Sequence, residues 1–207
     1  MNKLEFLNKQ EKLSTLAFIY ELPKLIALII SQFKANSILV ILEIIHGLGD
    51  AINSLITLLL CKVLIKNKHN IKQEKLEIII GMICDLVIII GLSSFIIVSL
   101  HKLNGHETSH NLNGVIIITI ISIFCDIYFL KKQKEIEKEY HHILAKTELS
   151  TAKEDLVFDI IELISLVIAE TNFAYMTPIL CILVAVYAIY ESIDRIREQY
   201  ILYKEII

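Results

Sequence analysis

The segment His46-Gly-Leu-Gly-Asp50 places an imidazole and a carboxylate four residues apart inside a long apolar stretch. Four residues make about one helical turn, so both side chains leave the same helix face and are able to hold one cation. An ionisable group at bilayer depth costs about 2.5–3.5 kcal/mol on insertion scales, and it is tolerated where it has a partner, a wet cavity or a function. The pair therefore predicts a functional site. The alternative for His46 is a core histidine that is hydrogen-bonded between helices.

Polar residues continue at helical spacing around this pair and recur in the fifth apolar stretch. Steps of three or four residues put each set on one face of a helix. Because lipid accepts neither polar face, we expect the two faces to meet each other or a cavity. The first stripe is Glu43, His46, Asp50, Asn53 and Thr57, and the second is Thr151, Asp155, Asp159 and Glu162.

Four further ionisable residues lie inside apolar sequence. Asp85 and Asp126 are single carboxylates that would suit either a partner supporting a metal ligand or a proton carrier. A hydrogen bond between helices is the alternative for both. Glu21 and Lys24, three residues apart, are expected to pair with each other.

The elements that must position these groups are hydrophobic stretches. The 207-residue chain is 55% hydrophobic, has no Trp, and has a mean hydropathy of +0.63. Roughly 20 apolar residues are needed for one helical span. The sequence therefore predicts an all-α, polytopic membrane protein with six transmembrane helices, at approximately 13–31, 37–65, 76–100, 112–130, 145–169 and 174–191.

The distribution of positive charge predicts the orientation. Of the 20 Lys and Arg residues, 17 fall at the N-terminus, in the second-to-third and fourth-to-fifth connections, and at the C-terminal end. The positive-inside rule then places both termini in the cytoplasm. We expect no cleavable signal peptide, since the N-terminus opens with charged and polar residues. Residues 1–207 are expected to form a single transmembrane domain, with a short amphipathic tail over 192–207 at the membrane surface.

These motifs, in this order, resemble the cation diffusion facilitator family of divalent-metal/proton antiporters over nearly the whole chain. The second-span pattern His46-Gly-Leu-Gly-Asp50-Ala-Ile-Asn53-Ser54 fits the family closely. Glu77 opens the third span, and Lys146-Thr-Glu-Leu-Ser-Thr151-Ala-Lys-Glu-Asp155 follows the fifth-span register. Pro178 and Tyr190-Glu191 match the beginning and end of the sixth span.

The resemblance implies a secondary active transporter that exports a divalent metal cation from the cytoplasm in exchange for protons, by alternating access. It implies metal ligation by His46, Asp50 and Asp155. Thr151 stands where the family has His or Asp, and a hydroxyl is a poor ligand. Asp159, one turn further along, or a water would then complete the site. His46 is the expected proton-coupling group, because its ordinary pKa of about 6.5 lies within reach of cytoplasmic pH.

Zinc is the expected ion, although an oxygen-rich set with one imidazole also accepts Mn²⁺, Fe²⁺, Co²⁺ or Cd²⁺. We expect no prosthetic group and no enzymatic activity, since motifs for a nucleophile, a phosphate loop or a zinc hydrolase are missing. The expected partners are the lipid bilayer, the metal ion and protons. A homodimer is also compatible with the sequence. No basic patch suggests nucleic acid. A bacterial inner membrane is the expected location. The resemblance covers the family's transmembrane part, without its C-terminal cytoplasmic domain.

Two alternatives accompany this interpretation. A transport-incompetent scaffold or regulatory subunit would also explain Thr151 and the short C-terminal end. Histidines in two connections, His101, His106 and His110 in one and His141-His142 in the other, are either weak metal collectors or simply solvated.

Overall fold

Six α-helices make up nearly all of the described chain. The computed structural model describes residues 3–35, 37–66, 71–102, 112–140, 143–170 and 177–205. These helices are α1 (Lys3–Ala35), α2 (Ile38–Lys66), α3 (Ile71–Lys102), α4 (Asn113–Glu139), α5 (Ile143–Ala169) and α6 (Thr177–Glu205). Within these ranges there is no β-strand, so the all-α prediction is confirmed.

Several helices run beyond the apolar stretches that predicted them. The first begins at Lys3, ahead of the apolar stretch, and it accommodates Pro23 in its interior. The sixth continues to Glu205, so residues 192–205 extend α6 and do not form a separate tail. Ser192 and Gln199 on this extension are buried, because one of its faces packs inside the bundle.

The outer surface of the bundle is apolar, as in a protein whose solvent is lipid. Phe33, Ile90 and Phe124 are among many large hydrophobic side chains that point outward. By length and composition, α1, α2 and α4 are suited to cross a membrane, and α3 contains a shorter apolar segment over Gly81–Ile97. Some charged side chains of α5 and α6, such as Asp159, Glu162 and Arg195, face the interior instead. The chain is an integral, multi-pass membrane protein.

Neighbouring helices pack as antiparallel pairs, chiefly α1 with α2, α3 with α6, and α4 with α5. Glycines let α2 approach two neighbours closely. A Cβ added at Gly47 would lie 3.2 Å from Leu25 Cδ2 of α1, and one added at Gly49 would lie 3.3 Å from Ile88 Cγ1 of α3. Close packing is thus a sufficient reason for both glycines.

Two apolar clusters lie at opposite ends of the bundle. One joins the start of α1 to the ends of α2 and α4 and the start of α5, through residues such as Phe6, Leu64 and Ile136. Lys75 of α3 lies over the Tyr203 ring of α6 at the same end, which we call the termini side. The other cluster includes Leu39 and Leu166 and occupies the opposite end, the far side. Polar side chains fill the layer between these clusters.

Candidate metal-binding site

The polar faces of α2 and α5 meet at three residues. His46 Nε2 lies 3.6 Å from Asp50 Oδ2 on its own helix and 3.8 Å from Asp155 Oδ1 on α5. One ligand atom from each of the three lies within 4.8 Å of the others. The two polar stripes therefore meet at this level of the bundle, as expected. We call His46, Asp50 and Asp155 the triad.

The spacing of the triad suits a small divalent cation. Ligand atoms about 2.0–2.2 Å from a tetrahedral zinc ion lie about 3.3–3.6 Å from one another. The two separations from the imidazole, 3.6 and 3.8 Å, need to shorten by only a few tenths of an ångström to fit that geometry. One nitrogen and two carboxylate oxygens are also a donor set that zinc accepts.

An aromatic ring holds the imidazole on its far side. Phe158, less than one turn after Asp155 on α5, stacks on His46 with ring centroids 3.7 Å apart. His46 Nε2 is buried and meets no hydrogen-bond donor or acceptor among the described residues. An unpartnered ring nitrogen costs free energy when buried, and a bound cation would satisfy it.

A cavity of about 80 Å³ connects the triad with the termini side. Its walls come from the second half of α2, the first halves of α3 and α5, and the second half of α6, all of which lie toward the termini. Thr151 and Asn53 line it beside the triad, so Thr151 shares a cavity with the three ligand candidates. A second cavity of about 60 Å³ reaches Asp50 and Asp155 from between α1, α2, α4 and α5, on the same side.

A buried carboxylate stands in the wall of both cavities. Glu148 Oε1 accepts a hydrogen bond of 2.7 Å from the Thr57 hydroxyl, and Glu148 Oε2 accepts a longer one of 3.4 Å from Gln10 Nε2. Glu148 extends the α5 stripe by one step of three residues before Thr151. The spacing in the sequence therefore contained this signal, although the site prediction did not use it.

Arg195 closes one wall of the larger cavity. Its Nη2 lies 2.8 Å from Asp85 Oδ1, and its Nε donates a hydrogen bond of 2.9 Å to the same oxygen. Its Nη1 forms an ion pair with Glu154, the residue before Asp155. Arg195 thus joins α6 to α3 and α5. No spacing rule pairs residues so distant in sequence, so sequence reasoning placed Arg195 on a surface tail.

The remaining expected site residues have partners other than the triad. Asp85 lines the larger cavity with the triad and is bound there by Arg195. Asp159 pairs with Lys24 of α1, whose Nζ lies 3.8 Å from Asp159 Oδ2. The structure therefore directs Lys24 to α5, where the sequence had suggested Glu21 as its partner. Asp126 faces Asp159 and lines the second cavity beside Asp50 and Asp155.

The connecting-loop histidines fall outside this description. His106, His110, His141 and His142 and the side chains of His101 and Glu77 lie outside the described residues. Their expected roles remain predictions.

Comparison with known proteins agrees with the helical membrane fold. The family model described as the cation efflux transmembrane domain matches residues 14–201, which span all six helices. No curated protein matches the chain significantly. The chain belongs to the cation efflux, or cation diffusion facilitator, family, whose members transport divalent metal cations.

Proposed function

We propose that this protein exports zinc from the cytoplasm in exchange for protons, with His46, Asp50 and Asp155 as the ligands of the transported ion. The observation that carries the proposal is the position of the triad at the inner end of a cavity that leads to the termini side. A transported ion needs a binding site and one open route at a time. The triad offers candidate ligands and the cavity offers a candidate route, which supports the proposal.

The packing on the far side of the triad supports a single open route. Beyond His46 and Phe158 lies the far-side apolar cluster, in which Leu39, Val40 and Leu166 are almost fully buried. Packed hydrocarbon blocks a cation, because an ion without ligands or water is strongly disfavoured there. The conformation therefore corresponds to a transporter open toward its termini, which the positive-inside rule assigns to the cytoplasm.

Proton exchange follows from the chemistry of the ligands. A metal ion binds neutral imidazole and ionised carboxylates, so loading the metal releases protons and loading protons expels the metal. His46 is the proposed coupling group, since it changes charge near neutral pH. The apparent zinc affinity is expected to fall as the pH is lowered. Asp159 is held by Lys24, so Thr151 or a water is the better candidate for the fourth position.

Reconstituted protein tests the proposal. Zinc added outside proteoliposomes that enclose a pH-sensitive dye should enter while protons leave, so that the lumen becomes alkaline. Asp50→Asn and Asp155→Asn should abolish this response, whereas Glu198→Gln, at an exposed carboxylate on α6, should preserve it. Mn²⁺, Fe²⁺, Co²⁺ and Cd²⁺ tested in the same assay would rank the ions. No flux with any of these ions would favour the scaffold or regulatory-subunit alternative.

A further inference from the structure

A second group of ionisable side chains lies in the protein interior beside the triad. It draws on four helices, and each member is at most 7% exposed. We call it the Lys24 cluster. Its members are Glu21 and Lys24 of α1, Glu43 of α2, Asp126 of α4, and Asp159 and Glu162 of α5.

Two members lie at the same depth beyond the triad. Glu43 precedes Asp50 by seven residues, and Glu162 follows Asp155 by seven residues. Because α2 and α5 run in opposite directions, both steps lead toward the far side. Seven residues correspond to about 10 Å along a helix. Glu43 and Glu162 line neither of the two cavities that reach the triad.

The cluster contains one cation for five carboxyl groups. Lys24 faces Asp159 at 3.8 Å, and both side chains are almost fully buried. All four carboxyl oxygens of Glu43 and Glu162 are buried and meet no N–H or hydroxyl donor among the described residues. The two carboxyl groups lie at the same depth on facing helices and within hydrogen-bonding reach of each other. Two carboxyl groups in this position attract each other only if a proton lies between them.

We propose that Glu43 and Glu162 form a proton-binding site that is separate from the ligands of the metal. With one proton the pair carries a single negative charge, and with two protons it is neutral. Release of the second proton when the triad binds metal, and its uptake once the metal has left, would let the pair carry a proton in the direction opposite to the metal. The proposal rests on the proposed proton exchange, and it adds a second place where the exchanged proton is held.

The charged groups around the pair determine whether the state with one proton or the state with two protons is favoured. From α1 it faces Lys24, whose positive charge favours the state with one proton, and Glu21, whose negative charge favours two. From α5 it faces Asp159, which is compensated by Lys24. Asp126 of α4 lines the second cavity beside Asp50 and Asp155. His46 lies one turn from Glu43 on α2. The pair therefore lies between side chains of net negative charge and the far-side apolar cluster. At this position, a bound proton is the smallest available countercharge.

Infrared spectroscopy of the purified full-length protein tests proton binding directly, without metal or transport. Wild-type protein near neutral pH should show the carbonyl stretch of a protonated carboxylic acid, sensitive to exchange into D₂O. Glu162→Gln and Glu43→Gln, which preserve side-chain size, should each lose part of that band. Glu198→Gln, on the exposed end of α6, should leave it unchanged. Absence of the band from wild-type protein would overturn the proposal even if both variants failed to fold.

Transport then tests the role of the bound proton. In proteoliposomes, Glu162→Gln should retain zinc binding by calorimetry but should lose the acceleration that an imposed pH gradient gives to wild-type flux. Retention of that acceleration would overturn the proposed role. If adding Na⁺ or K⁺ replaced the infrared band by ionised carboxylate, the pair would be a site for an alkali cation, which also contradicts the proposal. Failure of wild-type protein to bind zinc would contradict the proposed function alone, because the infrared test stays valid.

Discussion

The two sides of the triad contain similar residues, but the surroundings and partners of those residues differ. On the termini side, Glu148, Glu154 and Asp85 line a cavity and receive hydrogen bonds or an ion pair from Thr57 and Arg195. The Lys24 cluster holds five carboxyl groups and one ammonium, and two of its members, Glu21 and Asp126, line the second cavity. Glu43 and Glu162, on the far side, line neither of the two cavities.

The difference shows that burial and partner, more than residue type, decide what a carboxyl group does in a membrane protein. Beside a cavity, a carboxyl group receives hydrogen bonds from hydroxyl or guanidinium donors and remains accessible to a passing cation. Sealed under hydrocarbon, it needs a countercharge in contact, which is either a lysine or a proton. The triad lies at the boundary of these two environments, between the cavities on the termini side and the Glu43–Glu162 pair on the far side.

The strongest test of this comparison removes one triad carboxylate. Asp155→Asn is expected to lower zinc affinity by at least about 100-fold, since even partners that merely support a metal ligand contribute about 10–100-fold. Isothermal titration calorimetry on purified protein measures this. Glu162→Gln, two turns further along α5, should keep its affinity. Equal losses in both variants would show that the two sides do not act separately.

Breaking the ion-pair network of the cavity wall should have the next largest effect. Arg195→Gln leaves Asp85 and Glu154 without their cation, and loss of one partner of a buried pair costs about 3–5 kcal/mol of folding stability. Thermal unfolding in detergent should show a clearly lower midpoint. Adding Asp85→Asn to this variant should restore part of the loss.

An exposed ion pair of the same kind provides the control for that measurement. Lys146 Nζ lies 3.0 Å from Glu198 Oε2, but both side chains are more than half exposed. Because solvent screens such a pair, Glu198→Gln should leave the unfolding midpoint unchanged. An Arg195→Gln protein as stable as Glu198→Gln would show that Arg195 does not hold the wall together.

Adding a ligand beside the triad should produce a smaller gain. Thr151→His offers an imidazole one turn before Asp155, in the cavity that the triad shares. Zinc affinity is expected to rise about tenfold, the lower end of what supporting partners of a ligand contribute. Thr151→Val, which keeps the shape and removes the hydroxyl, is the matched control. Thr151→His binding zinc no more tightly than Thr151→Val would place residue 151 outside the coordination sphere.

The smallest effect concerns the space around two glycines. A Cβ added at Gly81, on the cavity wall, would meet the end of the flexible Gln199 side chain at 2.9 Å, which has room to move aside. Alanine is also favoured over glycine in helices by about 1 kcal/mol. Gly81→Ala should therefore leave the unfolding midpoint the same or slightly higher. Gly47→Ala presses on the buried Leu25 and should be less stable; the reverse order would contradict the difference in packing.

The sequence by itself determined the class of protein, the six helices and the composition of the triad. Long apolar stretches become helices in lipid because each backbone group must be hydrogen-bonded within its own segment. The spacing of three and four residues fixed which side chains share a helix face, so His46 and Asp50 were necessarily neighbours. The same spacing placed Asp155 on the polar face of α5, and exclusion of that face from lipid brought it toward α2.

Only the tertiary structure decided which charges pair between helices. Lys24 is three residues from Glu21 yet reaches Asp159, and Arg195 joins Asp85 and Glu154 from a segment that resembled a surface tail. Helix periodicity describes one helix at a time, whereas these contacts depend on rotation, depth and crossing of helices that are far apart in sequence. That arrangement decides whether lipid, a cavity or packed hydrocarbon surrounds each carboxyl group. It also keeps Glu43 and Glu162 away from the two cavities that reach the triad.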